Sequence, residues 1–331
     1  MASPASATGW TILPFRLVRS LPAPEPGFRC VVRGVTCEGD LLLLWRDARD
    51  APVLYPLAPS PAGAAPPRPK MDMGHAVRLL RVGEERGLQQ IDLPPLEVAI
   101  DHVAMFPDGR VLLAGARSKY RGPDDHDLNV MIFDPATGRL ERFLLGDGLD
   151  HVGIDGQGRI WGGYCDEGVF GHHGWGRACK GPEGPGAGGL VCFDDRGNQL
   201  WRFNGSLARN CIDDCYALNV SADRVWAYYY SFYYVCEVDA DLGLRIDKPD
   251  VGSTHALAVS PEAFLFPFSF RDPDRSGFHL VSRADPDHGT LLTGVLPEGA
   301  SLEEALLIGQ GARMHAVTGT AWFCAEVPAL A

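Results

Sequence analysis

The chain has 331 residues, 46% of them hydrophobic and 22% charged, with a formal net charge of -12 and a pI of ≈ 5.3. That length suits two ordinary domains or one repeat-built domain, and the composition is that of a globular protein. The acidic balance argues against nucleic acid or an anionic membrane as partner, and no apolar run of about 18 residues predicts a membrane span.

The start, MASPASATGW, lacks the basic and apolar regions of a signal peptide, and residues 1–8 are expected to be disordered. Nine cysteines without dense spacing then read as mostly reduced thiols in a cytoplasm. GWTILPFRLV, residues 9–18, is an apolar segment with no partner of its own nearby. From Cys30, CVVRGVTCEGDLLLLWR reads as two apolar strands around a tight turn, a β-hairpin. Residues 58–69, APSPAGAAPPRP, read as a mobile surface loop.

The hairpin phrase then recurs. It appears as DHVAMFPDGRVLLAGA from Asp101, DHVGIDGQGRIWGGY from Asp150, YALNVSADRVWAYYY from Tyr216, HALAVSPEAFLFPFS from His255 and RMHAVTGTAWFCAE from Arg313. The anchoring positions Val35, Met105, Ile154, Val220, Val259 and Val317 lie 39 to 70 residues apart. Their mean spacing of about 55 is close to that of kelch-type blades. Second hairpins follow at 131–143, 190–203 and 235–246. Four antiparallel strands per repeat make a propeller blade, so the expected fold is an all-β, six-bladed β-propeller in a single domain. The last copy ends near Glu326 with two strands made, so residues 9–18 are expected to complete that blade and leave no long open edge. SLEEALL, residues 301–307, is the one helix-like piece.

In a propeller, the segment leading into each inner strand and the loop between second and third strands open on the same mouth. That rule gathers Asp101 with His102, Asp150 with His151, Asp213 and Asp214, His255 and Arg313. The loops add Lys119, Tyr120, Arg121, His126, Asp166, Glu167, His172, His173, Arg271 and Asp272. Two carboxylates about 4 Å apart repel by roughly 4 kcal/mol at an effective dielectric of about 20, so such a group needs a cation, a shared proton or an adjacent base. Asp101, Asp150, Asp166 and Asp214 are the candidate ligands of a divalent cation such as Ca²⁺, Mg²⁺ or Zn²⁺. His102, His151, His255 and Glu167 are the candidate catalytic groups.

Each feature also has a structural reading. An Asp-His phrase can cap backbone amides and tie adjacent blades. Asp108, Asp155 and Asp223 sit at turns. His172 and His173 can be solvated loop, since adjacent histidines rarely hold one ion. Cys211 with Cys215 reads as packed thiols, with a disulfide or metal pair as the other option. Cys165 and Cys179 could clip a zinc ion with the histidines between them. Trp161, Trp226 and Trp322 read as packing between blades. The run 228–234, YYYSFYY, reads as a strand whose rings are mostly core.

No nucleophile elbow, His-Glu-x-x-His, P-loop or dinucleotide fingerprint occurs, and the Gly-rich loop 181–189 lacks a phosphate-binding Lys-Ser/Thr. HVAMFPDGRVLL and HVGIDGQGRIWGG resemble the strand-turn-strand signature of NHL, gluconolactonase-like and virginiamycin B lyase-type propellers. Residues 146–171, 189–201 and 211–220 resemble bacterial β-propeller proteins of uncharacterised function. The first resemblance implies one divalent cation at the channel mouth, or metal-assisted opening of a macrocyclic ester with a histidine. Two functions are therefore carried forward. One is a small-molecule hydrolase or lyase working on an ester or lactone, or tailoring a natural product. The other is a propeller that binds a ligand or protein without catalysis.

Overall fold

A computed structural model describes residues 9–50, 54, 73–205, 211–269, 272 and 274–330. The loop 58–69 and Arg271 lie outside the described residues. The chain forms two compact units, residues 24–215 and residues 1–23 together with 216–331. Six four-stranded antiparallel blades make the fold a six-bladed β-propeller. The N-terminal strands β1 (Thr11–Pro14) and β2 (Arg16–Ser20) belong with the second group of blades.

Blade 1 is β3 (Phe28–Val35), β4 (Leu41–Asp47), β5 (His75–Gly83) and β6 (Gly87–Leu96), in sequential order. Blade 2 pairs β7 (His102–Met105) with β8 (Val111–Ala114). A small hairpin, β9 (Tyr120–Gly122) and β10 (Asp125–His126), follows, and β11 (Val130–Phe133) and β12 (Leu140–Phe143) finish the blade. Blade 3 is β13 (Leu149–Ile154), β14 (Ile160–Tyr164), β15 (Leu190–Phe193) and β16 (Gln199–Arg202). A one-turn helix, α1 (Asp166–Phe170), starts its long loop.

The inner hairpins form for the reason their sequence suggests. Aliphatic residues fill β8, and Ile160, Trp161 and Tyr164 with two glycines make β14; both strands are buried on both faces. The turn residue Asp155 is fully buried and accepts from Gln157 N at 2.9 Å, Arg159 N at 3.0 Å and Trp161 Nε1 at 2.9 Å. One carboxylate thus fixes the turn and anchors the packing tryptophan of the next strand. Ile154, Ile160 and Val191 of blade 3 pack with Leu112, Val130 and Ile132 of blade 2 in one apolar cluster.

Blade 4 is β17 (Asp214–Val220), β18 (Arg224–Tyr230), β19 (Tyr234–Asp239) and β20 (Leu244–Asp247). The aromatic run 228–234 is therefore a hairpin and not one strand, with Tyr229 opposite Tyr234. Tyr228 and Tyr229 are buried, while Tyr230 and Phe232 are exposed at the turn. Blade 5 is β21 (Ala258–Val259), β22 (Ala263–Pro267), β23 (Gly277–Ser282) and β24 (Gly289–Val295). Blade 6 is β25 (Leu306–Gln310), β26 (Arg313–Val317), β27 (Ala321–Glu326) and β2.

Blade 6 shifts the sequence phase by one strand. The hairpin from Arg313 is β26 with β27, the second and third strands, not the inner pair. The segment read as helical holds only a 3-10 turn, Leu302–Glu304, and then becomes β25. Only one strand is then needed from the N-terminus, and β2 supplies it beside β27. The spare strand β1 pairs in parallel with β24 as a fifth strand of blade 5. Phe15 N donates to Val295 O at 3.0 Å where the chain crosses between the two blades. Leu13 and Phe15 join the apolar cluster that holds Leu265, Phe278, Met314 and Phe323. No helix among the described residues is long and apolar enough to cross a membrane.

Two buried asparagines show how loops are tied. Asn129 Nδ2 donates to Gly115 O and Gly146 O at 2.8 Å each, and its Oδ1 accepts from Leu145 N at 3.1 Å. Asn219 makes the same three-way tie to Leu257 O, Gly311 O and Gly311 N. Asn129→Ala strands buried backbone groups and is expected to lower unfolding free energy by about 2–4 kcal/mol in urea titrations followed by circular dichroism.

Candidate active site

The site is built from the loops of blades 2 and 3 and the segment that enters β17 at Asp214, in the unit formed by residues 24–215. The two loops interlock. Trp175 Nε1 donates to Ser118 O at 2.9 Å, and Tyr120 N donates to His173 O at 2.9 Å. Gly148, at φ +67, faces α1 so closely that a Cβ would fall 2.4 Å from Gly168 N. Only glycine allows that approach. It sets the Gly146–Gly148 segment directly against α1, and Asp147 against the loop histidines.

Arg117 is the centre of the first polar group. Its guanidinium donates to Asp147 Oδ2 at 2.9 Å, to Glu167 and to His172 Nδ1 at 3.3 Å. Asp147 Oδ1 accepts from Ser118 N at 2.8 Å. Burial pushes the Asp147 carboxyl up, against the opposing pull of the Ser118 N–H, Arg117 and His173. Donor atoms of Asp147, His172 and His173 lie within 4.8 Å of one another, the metal-type group found among the described residues. The donor types suit a divalent ion, but the fit fails as it stands. Arg117 already binds the Asp147 carboxylate and the His172 nitrogen, and a guanidinium repels a second cation there. The Arg117 bond makes Nδ1 of His172 an acceptor, which puts that ring's proton on Nε2.

The second group is acidic. A bulge between Leu149 and His151 leaves Asp150 out of the β13–β14 ladder and exposed. Asp166 opens α1 and Asp214 opens β17. Asp214 is pushed up to about 7, first by burial and then by the charges of Asp150 and Asp166. Its carboxyl therefore exchanges a proton near neutral pH. Cys165, just before α1, is pushed up to about 11 by burial, with Asp150 and Asp214 adding to the shift, so it is a thiol and no nucleophile. His151 Nε2 is buried, lies 3.9 Å from Asp150 Oδ2 and has no hydrogen-bond partner among the described residues.

The remaining candidates fall elsewhere. Asp101 Oδ2 accepts from Ala116 N at 2.9 Å and so braces its own loop. His102 Nε2 donates to Leu149 O at 2.9 Å, tying blade 2 to blade 3. Glu167 is held by Arg117. His255 is exposed in the other unit. Arg313 begins a second strand, so it leads into no inner strand, and its Nε donates to Glu326 at 2.8 Å. All nine cysteines are free thiols. Cys165 and Cys179 join no group of three donors among the described residues. Cys211 instead bonds Asp213 at 3.0 Å.

A cleft of about 400 Å³ runs between α1 and the segment that leads to Asp214. Phe170, Arg177, Glu183, Cys211 and Asp213 are among its walls. Sequence reasoning missed Arg117 and Asp147. The signal for Asp147 was its place between two glycines in GDG, both at positive φ.

Together these features define a six-bladed β-propeller with a polar, acid-rich loop site beside a cleft. A model of the YxzG family matches residues 190–273, less than half of the chain. No curated protein matches the sequence. Virginiamycin B lyase from Staphylococcus aureus is similar at 10% identity, over 95% of this chain and 100% of that one, with a TM-score of 0.46. A catalytically inactive form of that lyase with quinupristin gives 8%, 95%, 100% and 0.46 in the same terms. Kluyveromyces lactis Hsv2 gives 7%, 91%, 75% and 0.48. The fold assignment rests on the strand topology above and not on these scores.

Two measurements check this description. Arg117→Ala leaves Asp147 buried without its cation and is expected to cost about 3 kcal/mol of stability in urea. Zn²⁺ is expected to raise the melting temperature of that variant and not of the wild type. For His102, desolvation lowers the ring's pKa below the ordinary histidine value. The unfolded chain therefore takes up the proton first. Its stabilising effect is complete above about pH 6.5 and is lost as pH falls below that. His102→Gln, which keeps a donor for Leu149 O, is expected to flatten that acid limb in pH-dependent melts.

Proposed function

We propose that the chain is an enzyme that acts on a small molecule by acid–base chemistry at the loops of residues 24–215. The reaction class is hydrolysis or elimination of an ester or lactone. The observation that carries the reading is Asp214, a carboxyl pushed up to about 7 beside two further carboxylates. A base of that pKa is poised to take and return a proton at neutral pH. Burial keeps it there, with the charges of Asp150 and Asp166 adding to the shift. Asp214 takes the proton from water in hydrolysis, or from the carbon next to the carbonyl in elimination. His151, with a buried unpaired Nε2 near Asp150, is the group that returns a proton to the leaving oxygen. The cleft beside Asp213 supplies a place for the substrate body, with Phe170 exposed at its wall. The divalent cation expected from the sequence enters as a competitor of the Asp214 proton, because either one relieves the same repulsion.

The test is a pH-stat survey of simple esters and lactones with the wild type and Asp214→Asn. Wild-type kcat/KM is expected to rise with pH through about 7, and the variant to lose at least about a hundredfold with no such limb. Stability gives a readout that needs no substrate. A carboxyl raised above its unfolded value stabilises less as pH rises through its folded pKa. Asp214→Asn is therefore expected to be more stable than wild type above pH 7, by about 2 kcal/mol once solvent screening of this partly exposed group is allowed for. Ligand binding in the cleft with no turnover of any ester or lactone would instead support a non-catalytic binding propeller.

A further inference from the structure

A second cleft, of about 660 Å³, lies on the outer strands of blades 2 and 3 and shares the Glu183–Gly184 wall with the first. It is built by a close approach. Gly197, at φ +83, would put a Cβ 2.6 Å from the Phe143 ring, so the β15–β16 turn packs directly on the end of β12. That contact brings Arg196 of the turn beside Arg142 of β12, with Arg202 of β16 completing one basic wall. Leu128, 48% exposed, and Pro182 line the same cleft.

The cleft lining carries three arginines, Arg142, Arg196 and Arg202, against one glutamate, Glu183. Nearby carboxylates are committed to other partners. Glu141 pairs with Arg139 at 3.0 Å, and Asp195 with Arg110 at 2.9 Å. Asp194 accepts from Arg196 N at 2.9 Å, Asn198 N at 2.8 Å and Asn198 Nδ2 at 2.8 Å within its own turn, and it offsets the Arg196 charge in part without an ion pair. Glu183 is the one acidic residue in the wall, and it pairs with Arg202 at 2.5 Å. Arg142 and Arg196 thus form no ion pair among the described residues. Gathering like charges costs free energy unless an anion joins them. In a chain of net charge -12, this cleft is a local excess of guanidinium charge beside the apolar Leu128 and Pro182.

We propose that this cleft binds a small organic anion. Its carboxylate or phosphate would be held by Arg142 and Arg196, as guanidinium forks bind planar oxyanions. Its apolar body would lie along Leu128 and Pro182. The overall acidity of the chain repels extended polyanions, which selects a small ligand over nucleic acid. This site does not depend on the chemistry proposed for Asp214.

Calorimetric titration with inorganic phosphate and with benzoate tests it. Both probes are expected to bind, more weakly as salt is raised. The double variant Arg142→Ala/Arg196→Ala replaces two exposed side chains, and its unchanged melting curve would show that it still folds. It is expected to lose at least about tenfold in affinity for both probes. Leu128→Ala is expected to weaken benzoate and leave phosphate unchanged. No binding of either probe to the wild type, or equal binding by the folded double variant, overturns the proposal.

Discussion

A blade satisfies its backbone hydrogen bonds inside its own sheet, and what it offers its neighbour is an apolar face. Where loops cross from one blade to the next, polar backbone groups must be met by side chains or be left buried and unpaired. The structure depends on those ties. His102 meets Leu149 O, and Asn129 meets Gly115 O, Gly146 O and Leu145 N. Arg46, fully buried, donates to Leu96 O, to Val98 O at 2.6 Å and to Asp50 at 2.9 Å. Apolar clusters give the bulk of the stability, one joining Leu42, Leu79 and Met105 and another joining Phe106, Ile154 and Phe193. The polar ties fix which loop lies against which, and hence where a site can form.

That division explains how one repeated phrase acquires two roles. Asp101-His102 and Asp150-His151 occupy like places in successive blades. In blade 2 both side chains are consumed by the scaffold, on Ala116 N and Leu149 O. In blade 3 Asp150 lies at a bulge and is exposed, and no hydrogen bond to the scaffold holds its carboxylate among the described residues. The copies differ in what the carboxylate meets: Asp101 braces Ala116 N, whereas the charge of Asp150 adds to the burial that raises Asp214. A repeat fold supplies the same residues several times, and local irregularity decides which copy is released for chemistry.

The blade hairpins were legible because each carries its own signal, two apolar runs around a tight turn. The end of the chain was misread because Leu306 and Leu307 follow acidic residues at helical spacing, although the neighbouring strand makes β25 the better partner for them. The parallel pairing of β1 could not be read at all, since its partner is nearly the whole chain away. The same limit applied at the site. That Asp150, Asp166 and Asp214 come near one another was readable from their positions around the inner strands. Arg117 and Asp147 were not, because their meaning arises from the interlock of two loops through Trp175, Tyr120 and Gly148.

The two polar groups of this region solve one electrostatic problem in opposite ways. Asp147 and Glu167 face a built-in cation, Arg117, with His172 accepting from it. That arrangement is internally paired and costs a great deal to open. Among the described residues, Asp150, Asp166 and Asp214 have no guanidinium hydrogen-bond partner, and burial, with the charges of Asp150 and Asp166 added, raises the proton affinity of Asp214. A paired group resists change, whereas a group that holds its proton near neutrality changes charge at little cost. Since Asp166 and Glu167 are consecutive in α1, one short turn separates the anchored network from the labile one. The paired half thus braces the loop that carries the labile half, and the proposed proton transfer falls on the side where a carboxyl changes charge most easily.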